Sequence, residues 1–155
     1  MQIRPALPHE AAALTALARA SKAYWGYDEL QLDAWREDLA ITPALIEAAQ
    51  VFVCESDGEL SAFYALVRAG EAWQLDHLWV LPACMGRGMG RALLRHAAQE
   101  AFEGGAREVL VDADPYAEAF YLACGAERAG EVAAPIAGLP GRRRPQLRLP
   151  VAAAL

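Results

Sequence analysis

Hydrophobic and polar positions repeat along the chain with two different periods, and each change of period marks a new element. Leu14 and Leu17 lie on one face of an apolar pattern with the helical spacing, which predicts a first helix that ends near Tyr24. A second helix is predicted from Asp28 to Ala40, with Asp28 as its N-cap. The first third of the chain is therefore predicted to be mainly helical.

Alternation with a period of two follows and predicts strands. The dipeptide Asp57-Gly58 is typical of a tight hairpin turn, and the apolar segments on both sides of it predict two antiparallel strands. A further strand is predicted from Trp73 to Leu81, and Pro82 stops it because proline has no amide to donate to a strand ladder. The predicted strands are Gln2–Arg4, Val51–Cys54, Leu60–Arg68, Trp73–Leu81 and Val109–Val111, with weaker candidates at Arg128–Val132 and Gln146–Val151.

A strongly helical segment begins at Gly88 and ends at the glycine pair Gly104-Gly105, which is typical of a helix C-terminus. This helix joins two predicted strands, so those strands should be parallel neighbours with a right-handed connection. Another helix is predicted from Tyr116 to Cys124. The order of elements predicts an α/β fold with a mixed, twisted sheet and about four flanking helices.

Composition supports one globular domain over residues 1–155, because 55% of the residues are hydrophobic and 22% are charged. The net charge of −6 argues against a nucleic-acid partner, since phosphate binding requires a positive surface. Three adjacent arginines, Arg142 to Arg144, are the local exception. They fall in a Pro- and Gly-containing segment, Pro135–Pro145, and are predicted to form a solvated loop, with contact to an anionic group as the alternative.

The three cysteines are Cys54, Cys84 and Cys124. They are odd in number and far apart, and no histidine stands near them at the spacing of zinc ligands. We therefore predict reduced thiols, no metal site and a cytoplasmic protein. The N-terminal sequence has no long apolar segment, which predicts neither a signal peptide nor a membrane span.

The segment 85–91, with the sequence MGRGMGR, lies where a strand ends and a helix begins. The first amides of a helix have no partner within the helix, and glycines allow an anion to approach them closely. Arg87 and Arg91 can add charge-assisted contacts. The same glycines can serve only a tight turn. A nucleoside triphosphate loop is excluded because no Gly-Lys-Ser/Thr follows.

A dinucleotide-binding oxidoreductase remains open as an alternative. Arg91 stands where the third glycine of that fingerprint would allow close helix packing, and an early strand-helix-strand unit is missing, so the fit is poor. Asp112 is nevertheless at a tolerable distance for a contact with the ribose.

The strand, the glycine loop, the helix, the parallel strand and the segment Asp114–Gly125 together resemble the GNAT superfamily of N-acetyltransferases over nearly the whole chain. Gly88 and Gly90 fit the superfamily's loop pattern, whereas Met85 stands where Gln or Arg is common. Several stretches are also similar to a bacterial subgroup of that superfamily, namely Ser21–Tyr27, His77–Pro82 and Gly138–Arg142.

The resemblance implies that the fourth and fifth strands splay and that acetyl-CoA, the cosubstrate, binds in the gap. Backbone groups of the fourth strand would pair with the pantetheine amides, and the glycine loop would hold the pyrophosphate. The cofactor-binding residues are then Leu78, Trp79, Val80, Gly86, Arg87, Gly88, Met89, Gly90 and Arg91.

Two catalytic roles follow from the resemblance and from strand geometry. Tyr121 stands at the position of the superfamily's frequent general acid, although a buried core tyrosine is the alternative. Asp76 is the candidate base, because alternation along a strand places it on the face of Leu78 and Val80. His77 points to the opposite face and is interpreted as structural.

The resemblance places the link between the first two helices over the reaction centre. The candidate substrate-binding residues there are Tyr24, Trp25, Tyr27 and Glu29, although an aromatic cluster is equally good core filling. The predicted function is acetyl transfer from acetyl-CoA to a primary amine of a small molecule or of a protein N-terminus or lysine. A noncatalytic acyl-CoA sensor is the alternative, and the resemblance also suggests a homodimer.

Overall fold

The computed structural model of the protein describes residues 1–152. The strands are β1 (Gln2–Pro5), β2 (Gln50–Ser56), β3 (Glu59–Ala69), β4 (Ala72–Val80), β5 (Glu108–Asp112), β6 (Glu127–Ala133) and β7 (Arg143–Pro150). The α-helices are α1 (Ala11–Ala23), α2 (Glu29–Ala34), α3 (Arg36–Leu39), α4 (Pro43–Ala48), α5 (Met89–Glu103) and α6 (Glu118–Ala123). Short 3₁₀ turns occupy Pro8–Glu10, Pro82–Cys84 and Pro115–Ala117.

The strands form a mixed sheet in the order β1-β2-β3-β4-β5-β7-β6. Strands β4 and β5 are parallel, as expected for two strands joined by a crossover helix. Their pairing joins Gln74 to Leu110. The predicted α/β fold with a mixed sheet and parallel fourth and fifth strands is confirmed, although the described residues form six α-helices where about four were expected. The splay of these two strands remains a prediction.

The chain divides into two compact units. The first unit is Met1–Leu66 with His77–Leu94, and the second is Val67–Asp76 with the described part of the chain from Arg95. Strands β3 and β4 and helix α5 each contribute residues to both units. A single domain over residues 1–155 remains a prediction, and residues 153–155 lie outside the described part of the chain.

The core of the first unit forms between α1 and the β2–β3 hairpin. Leu14 and Leu17 are buried there with Val53 and Phe63, as the helical period predicted. The hairpin turn has positive φ at both central residues, 55° at Asp57 and 77° at Gly58, which matches the right-handed twist of the strands.

The predicted helix from Asp28 to Ala40 is wrong in its length, because the structure divides it into α2 and α3 at Trp35. Trp35 leaves the helical conformation, with φ −96° and ψ 12°, and its ring packs edge-on against Tyr27 at 4.8 Å. A tertiary contact thus overrides the helical period. The predicted N-cap is confirmed, since the Asp28 carboxylate accepts a hydrogen bond from the Gln31 amide at 2.8 Å.

In the second unit, two different constraints require glycine at the two positions after α5. Gly105 has φ 96°, the left-handed conformation that commonly ends a helix. Gly104 is required by close packing, because a Cβ atom there would lie 2.5 Å from the indole of Trp73.

The prediction of a solvated loop at Arg142 to Arg144 is wrong. Arg142 pairs with Asp114 at 3.3 Å, with side chains only 5% and 8% exposed. Arg143 and Arg144 belong to β7, where the Arg143 guanidinium donates to Glu131 at 2.6 Å. The carboxylates that hold Arg142 and Arg143 are distant in sequence, so local composition did not indicate them.

A charged cluster ties β1 to the start of the first helical segment. The Arg4 guanidinium donates to both carboxylate oxygens of Glu10, at 3.0 and 2.8 Å, and also to Glu55. The Leu7 amide donates to Glu10 at 2.8 Å. These bonds lower the pKa of the buried Glu10 carboxyl, and the hydrogen bonds from Arg4 have the largest effect.

We expect Glu10→Gln to reduce the free energy of unfolding at neutral pH by about 1.5 to 3 kcal/mol, because charge-assisted hydrogen bonds are lost. A lowered pKa in the folded state stabilises the fold above the unfolded pKa of about 4.3 and loses that contribution as pH falls through the folded value. Urea titrations from pH 7 to 3 should therefore show a shallower acid loss in Glu10→Gln. Glu47→Gln, at an exposed site on α4, is the control and should behave like the parent.

Candidate active site

The turn from β4 into α5 contains two glycines in the left-handed region, Gly86 with φ 79° and Gly88 with φ 81°. Glycine adopts this conformation without the steric cost that other residues incur. The Ala92 amide makes its helical bond to the Gly88 carbonyl at 3.0 Å. The amides of residues 89–91 therefore precede the hydrogen-bond ladder of the helix and keep their donors for another partner.

The surroundings of this loop fit a pyrophosphate group. A Cβ atom added at Gly86 or at Gly88 would meet no other atom within 4 Å, so an anion can approach the backbone closely. Arg87 and Arg91 are exposed, while Met89 is buried and anchors the helix start. Helix-terminal amides, the positive end of the helix dipole and two guanidinium groups are the expected donors for phosphate.

The side chains of β4 alternate as the sequence predicts. Leu75 and His77 are buried, whereas Asp76 is exposed and Leu78 and Val80 are half-buried. Asp76 therefore shares the more open face with Leu78 and Val80. In the second unit β4 pairs with β5 at Gln74, opposite Leu110.

His77 is held in the neutral form on the buried face. Its Nδ1 atom accepts a hydrogen bond from the Trp79 indole N–H at 3.0 Å, which places its own proton on Nε2. Burial lowers the pKa of His77 to about 4. The geometry confirms the interpretation of this residue as structural.

The turn between α1 and α2 carries the predicted acceptor-binding residues. Tyr24 and Trp25 are exposed and contact each other edge-to-face at 5.2 Å. The exposed Glu29 carboxylate accepts from Arg19 at 2.9 Å. Tyr27 differs from the other aromatic residues of this turn, because its ring is buried. Together with the glycine loop and the end of β4, these residues lie in the first unit.

Tyr121 lies in the second unit, buried on α6. Burial raises the pKa of its phenol, so the hydroxyl keeps its proton at neutral pH. The start of this segment is capped by Asp114, whose carboxylate accepts from the Tyr116 amide at 2.9 Å and pairs with Arg142. The cap and the buried ion pair together fix the turn that leads into α6.

Asp76 also belongs to the second unit. Desolvation by the surrounding protein raises the pKa of its carboxyl, and the negative charge of Asp112 raises it further. Asp112 ends β5 and receives a hydrogen bond from the Gln146 side chain at 3.4 Å. A raised pKa makes the Asp76 carboxylate a stronger base than a free aspartate.

The model of the acetyltransferase (GNAT) family matches residues 13–126, a span that includes the glycine loop and Tyr121. The chain belongs to the GNAT family. It is therefore an acetyltransferase that uses acetyl-CoA as its cosubstrate, and the predictions of enzyme, family and cosubstrate are confirmed. The family assignment agrees with a glycine loop whose free amides fit a pyrophosphate.

Solved structures of GNAT proteins share this fold. A GCN5-related N-acetyltransferase from Rhodopseudomonas palustris is 24% identical, with a TM-score of 0.80 over 97% of this chain and 95% of the other. The PaiA N-acetyltransferase from Thermoplasma acidophilum, in complex with coenzyme A, is 17% identical, with a TM-score of 0.78 over 96% and 98%. No match was found among the curated proteins.

Two features of this GNAT enzyme were missed by sequence reasoning. Arg142 supports the Asp114 cap, and Lys22 is buried among aromatic rings. The Asp-Pro pair at 114–115 is a helix-start signal that could have indicated the cap. Nothing in the local pattern indicates the partner of Arg142.

The structure adds two observations on the other sequence predictions. Cys54, Cys84 and Cys124 are free thiols. Across residues 1–152, none of the helices combines the length and the apolar character that crossing a membrane requires.

We expect Gly88→Ala to weaken coenzyme A binding to this GNAT enzyme by about tenfold or more, because a Cβ atom would enter the space that the pyrophosphate needs. Calorimetric titration with coenzyme A measures the effect. Gly58→Ala is the matched control, since Gly58 also has positive φ and open surroundings but lies in the β2–β3 hairpin turn. Equal affinity in both variants would place the pyrophosphate elsewhere.

Proposed function

We propose that this GNAT enzyme transfers the acetyl group of acetyl-CoA to a primary amine by direct attack in a ternary complex. The observation that carries the proposal is the turn into α5, where free helix-terminal amides, open space at Gly86 and Gly88, and exposed Arg87 and Arg91 suit a pyrophosphate. Bound acetyl-CoA supplies a thioester whose carbonyl carbon accepts the amine nitrogen. The residues of this chain then bind, orient and move protons.

The acceptor amine must lose a proton before it attacks, because a primary amine with a pKa of about 10.4 is mostly protonated at neutral pH. We assign the Asp76 carboxylate as the base that accepts this proton. The residue is exposed on the same face of β4 as Leu78 and Val80, and its raised pKa favours proton uptake.

The departing sulfur of coenzyme A must gain a proton as the carbon–sulfur bond breaks. We assign the hydroxyl of Tyr121 as the donor of this proton, because the family resemblance implies a general acid at this position. The phenol is protonated at neutral pH, as a proton donor must be, and the cap at Asp114 holds the segment that carries it.

The acceptor is a primary amine of a small molecule or of a protein. Similar structures include a ribosomal-protein-S18-alanine N-acetyltransferase from Escherichia coli and an aminoglycoside 6′-N-acetyltransferase, which share the amine as their acceptor group. In this chain, the exposed rings of Tyr24 and Trp25 offer an apolar surface for the acceptor, and the exposed Glu29 carboxylate, which also pairs with Arg19, adds a polar group. The three free thiols favour a cytoplasmic location.

A thiol-release assay across classes of amine tests this function. Acetyl-CoA is incubated with the protein and with amino acids, polyamines, aminoglycosides and peptides that have free N-termini, and release of coenzyme A is followed at several pH values. We expect release with at least one amine and an equal amount of acetylated product. Tight binding of acetyl-CoA without release across the whole panel would instead support a noncatalytic sensor.

We expect Tyr121→Phe to lower kcat by about 10² to 10⁴, because only the proton-donating oxygen is removed while the ring still packs. The affinity for acetyl-CoA should stay close to that of the parent. Steady-state thiol release and direct titration together measure the two effects. Tyr116→Phe is the matched control, since Tyr116 lies on the same segment with an exposed ring. A kcat within about twofold of the parent would remove Tyr121 from the reaction.

A further inference from the structure

Lys22 stands in the last turn of α1 and is buried, with 7% of its surface exposed. Lysine is among the residues that are most rarely buried, because removing an ammonium group from water is costly unless other groups compensate. The burial of Lys22 therefore requires a specific environment.

Three aromatic rings provide that environment. The Lys22 ammonium lies 4.0 Å from the ring centroid of Trp35, 5.3 Å from that of Tyr27 and 5.7 Å from that of Trp79. All three distances fall within the range of about 6 Å over which the face of an aromatic ring attracts a cation. We call these four residues the lysine cage.

The rings of the lysine cage belong to the first unit, and two of them, Tyr27 and Trp35, follow Lys22 closely in sequence, whereas Trp79 is distant. Tyr27 lies in the turn that carries the proposed acceptor-binding residues, and Trp35 lies at the junction of α2 and α3. Trp79 lies on the part of β4 whose backbone is proposed to bind pantetheine. One ammonium group thus contacts both the acceptor side and the cofactor side.

The Trp79 ring is also held by a hydrogen bond from its indole N–H. Its indole N–H donates to Nδ1 of the buried His77 at 3.0 Å, and His77 in turn stacks on Phe63. Tyr27 is likewise held by the edge of Trp35. Removing the ammonium would remove the contact that Tyr27, Trp35 and Trp79 share.

We propose that Lys22 is a positioning residue for acetyl transfer, whose ammonium holds the acceptor-side turn at Tyr27 against the cofactor strand at Trp79. The inference rests on the proposed function, because that function assigns the acceptor to this turn and pantetheine to this part of β4. Lys22 acts through Tyr27 and Trp79 and need not touch either substrate.

Lys22→Met tests the role, because methionine fills the space of the lysine stem without the charge. We expect the Kd for coenzyme A and the KM for the responsive amine each to rise by about three- to tenfold, with a smaller change in kcat. In Lys22→Arg the Kd and the KM should both lie close to those of the parent, since a guanidinium also stacks on aromatic faces. Values within about twofold of the parent in a folded Lys22→Met would overturn the proposal.

Ile46→Ala is the control for a general loss of stability, because Ile46 is buried in the core of the first unit and is not part of the lysine cage. It should lower the Tm and leave the Kd for coenzyme A unchanged. An equal rise in Kd in Ile46→Ala would make the effect of Lys22 merely structural and overturn the proposal.

Trp35→Leu keeps the experiment decisive if Lys22→Met does not fold, because it removes the nearest ring and leaves the charge. The same rise in Kd is expected, and an unchanged Kd would contradict the inference. The proposed function is judged separately. If the parent binds coenzyme A but acetylates no amine, that function is wrong, whereas the Kd values of the variants still decide the role of Lys22.

Discussion

The turn from β4 into α5 is the constraint on which the candidate site depends. Strand β4 ends at Val80 and helix α5 begins at Met89, and the turn between them leaves open space at Gly86 and Gly88. Only glycine takes positive φ at two nearby positions without strain, so Gly86 and Gly88 shape the turn and also keep it accessible. The same backbone geometry therefore joins the strand to the helix and forms the proposed pyrophosphate site.

Buried charges fix the elements around that turn and around α6. Glu10 is held by Arg4, Asp114 by Arg142, and the Lys22 ammonium by three aromatic rings. Removing one partner would leave a buried charge without compensation, which is strongly destabilising. The arrangement that keeps these partners together is therefore favoured. In this enzyme these groups contact the first helical segment, the segment that carries Tyr121 and the turn between α1 and α2.

Burial acts on the pKa values of both proposed catalytic residues. It raises the pKa of the Tyr121 phenol, which therefore stays protonated at neutral pH, while desolvation and Asp112 raise the pKa of Asp76 and strengthen it as a base. His77, with its suitable intrinsic pKa, is instead neutralised by burial and used as a hydrogen-bond acceptor for Trp79. Environment, rather than residue type, separates these roles.

The sequence by itself determined the order of elements, the hairpin at Asp57-Gly58, the glycine loop and the family, because these features depend on local periods and on residues close in sequence. Only the tertiary structure decided that Trp35 interrupts a helix, that Arg142 is buried against Asp114 and that Lys22 is surrounded by rings. Each of these outcomes depends on at least one partner eight or more residues away. The energy of such contacts outweighs local propensity, and no local pattern encodes them.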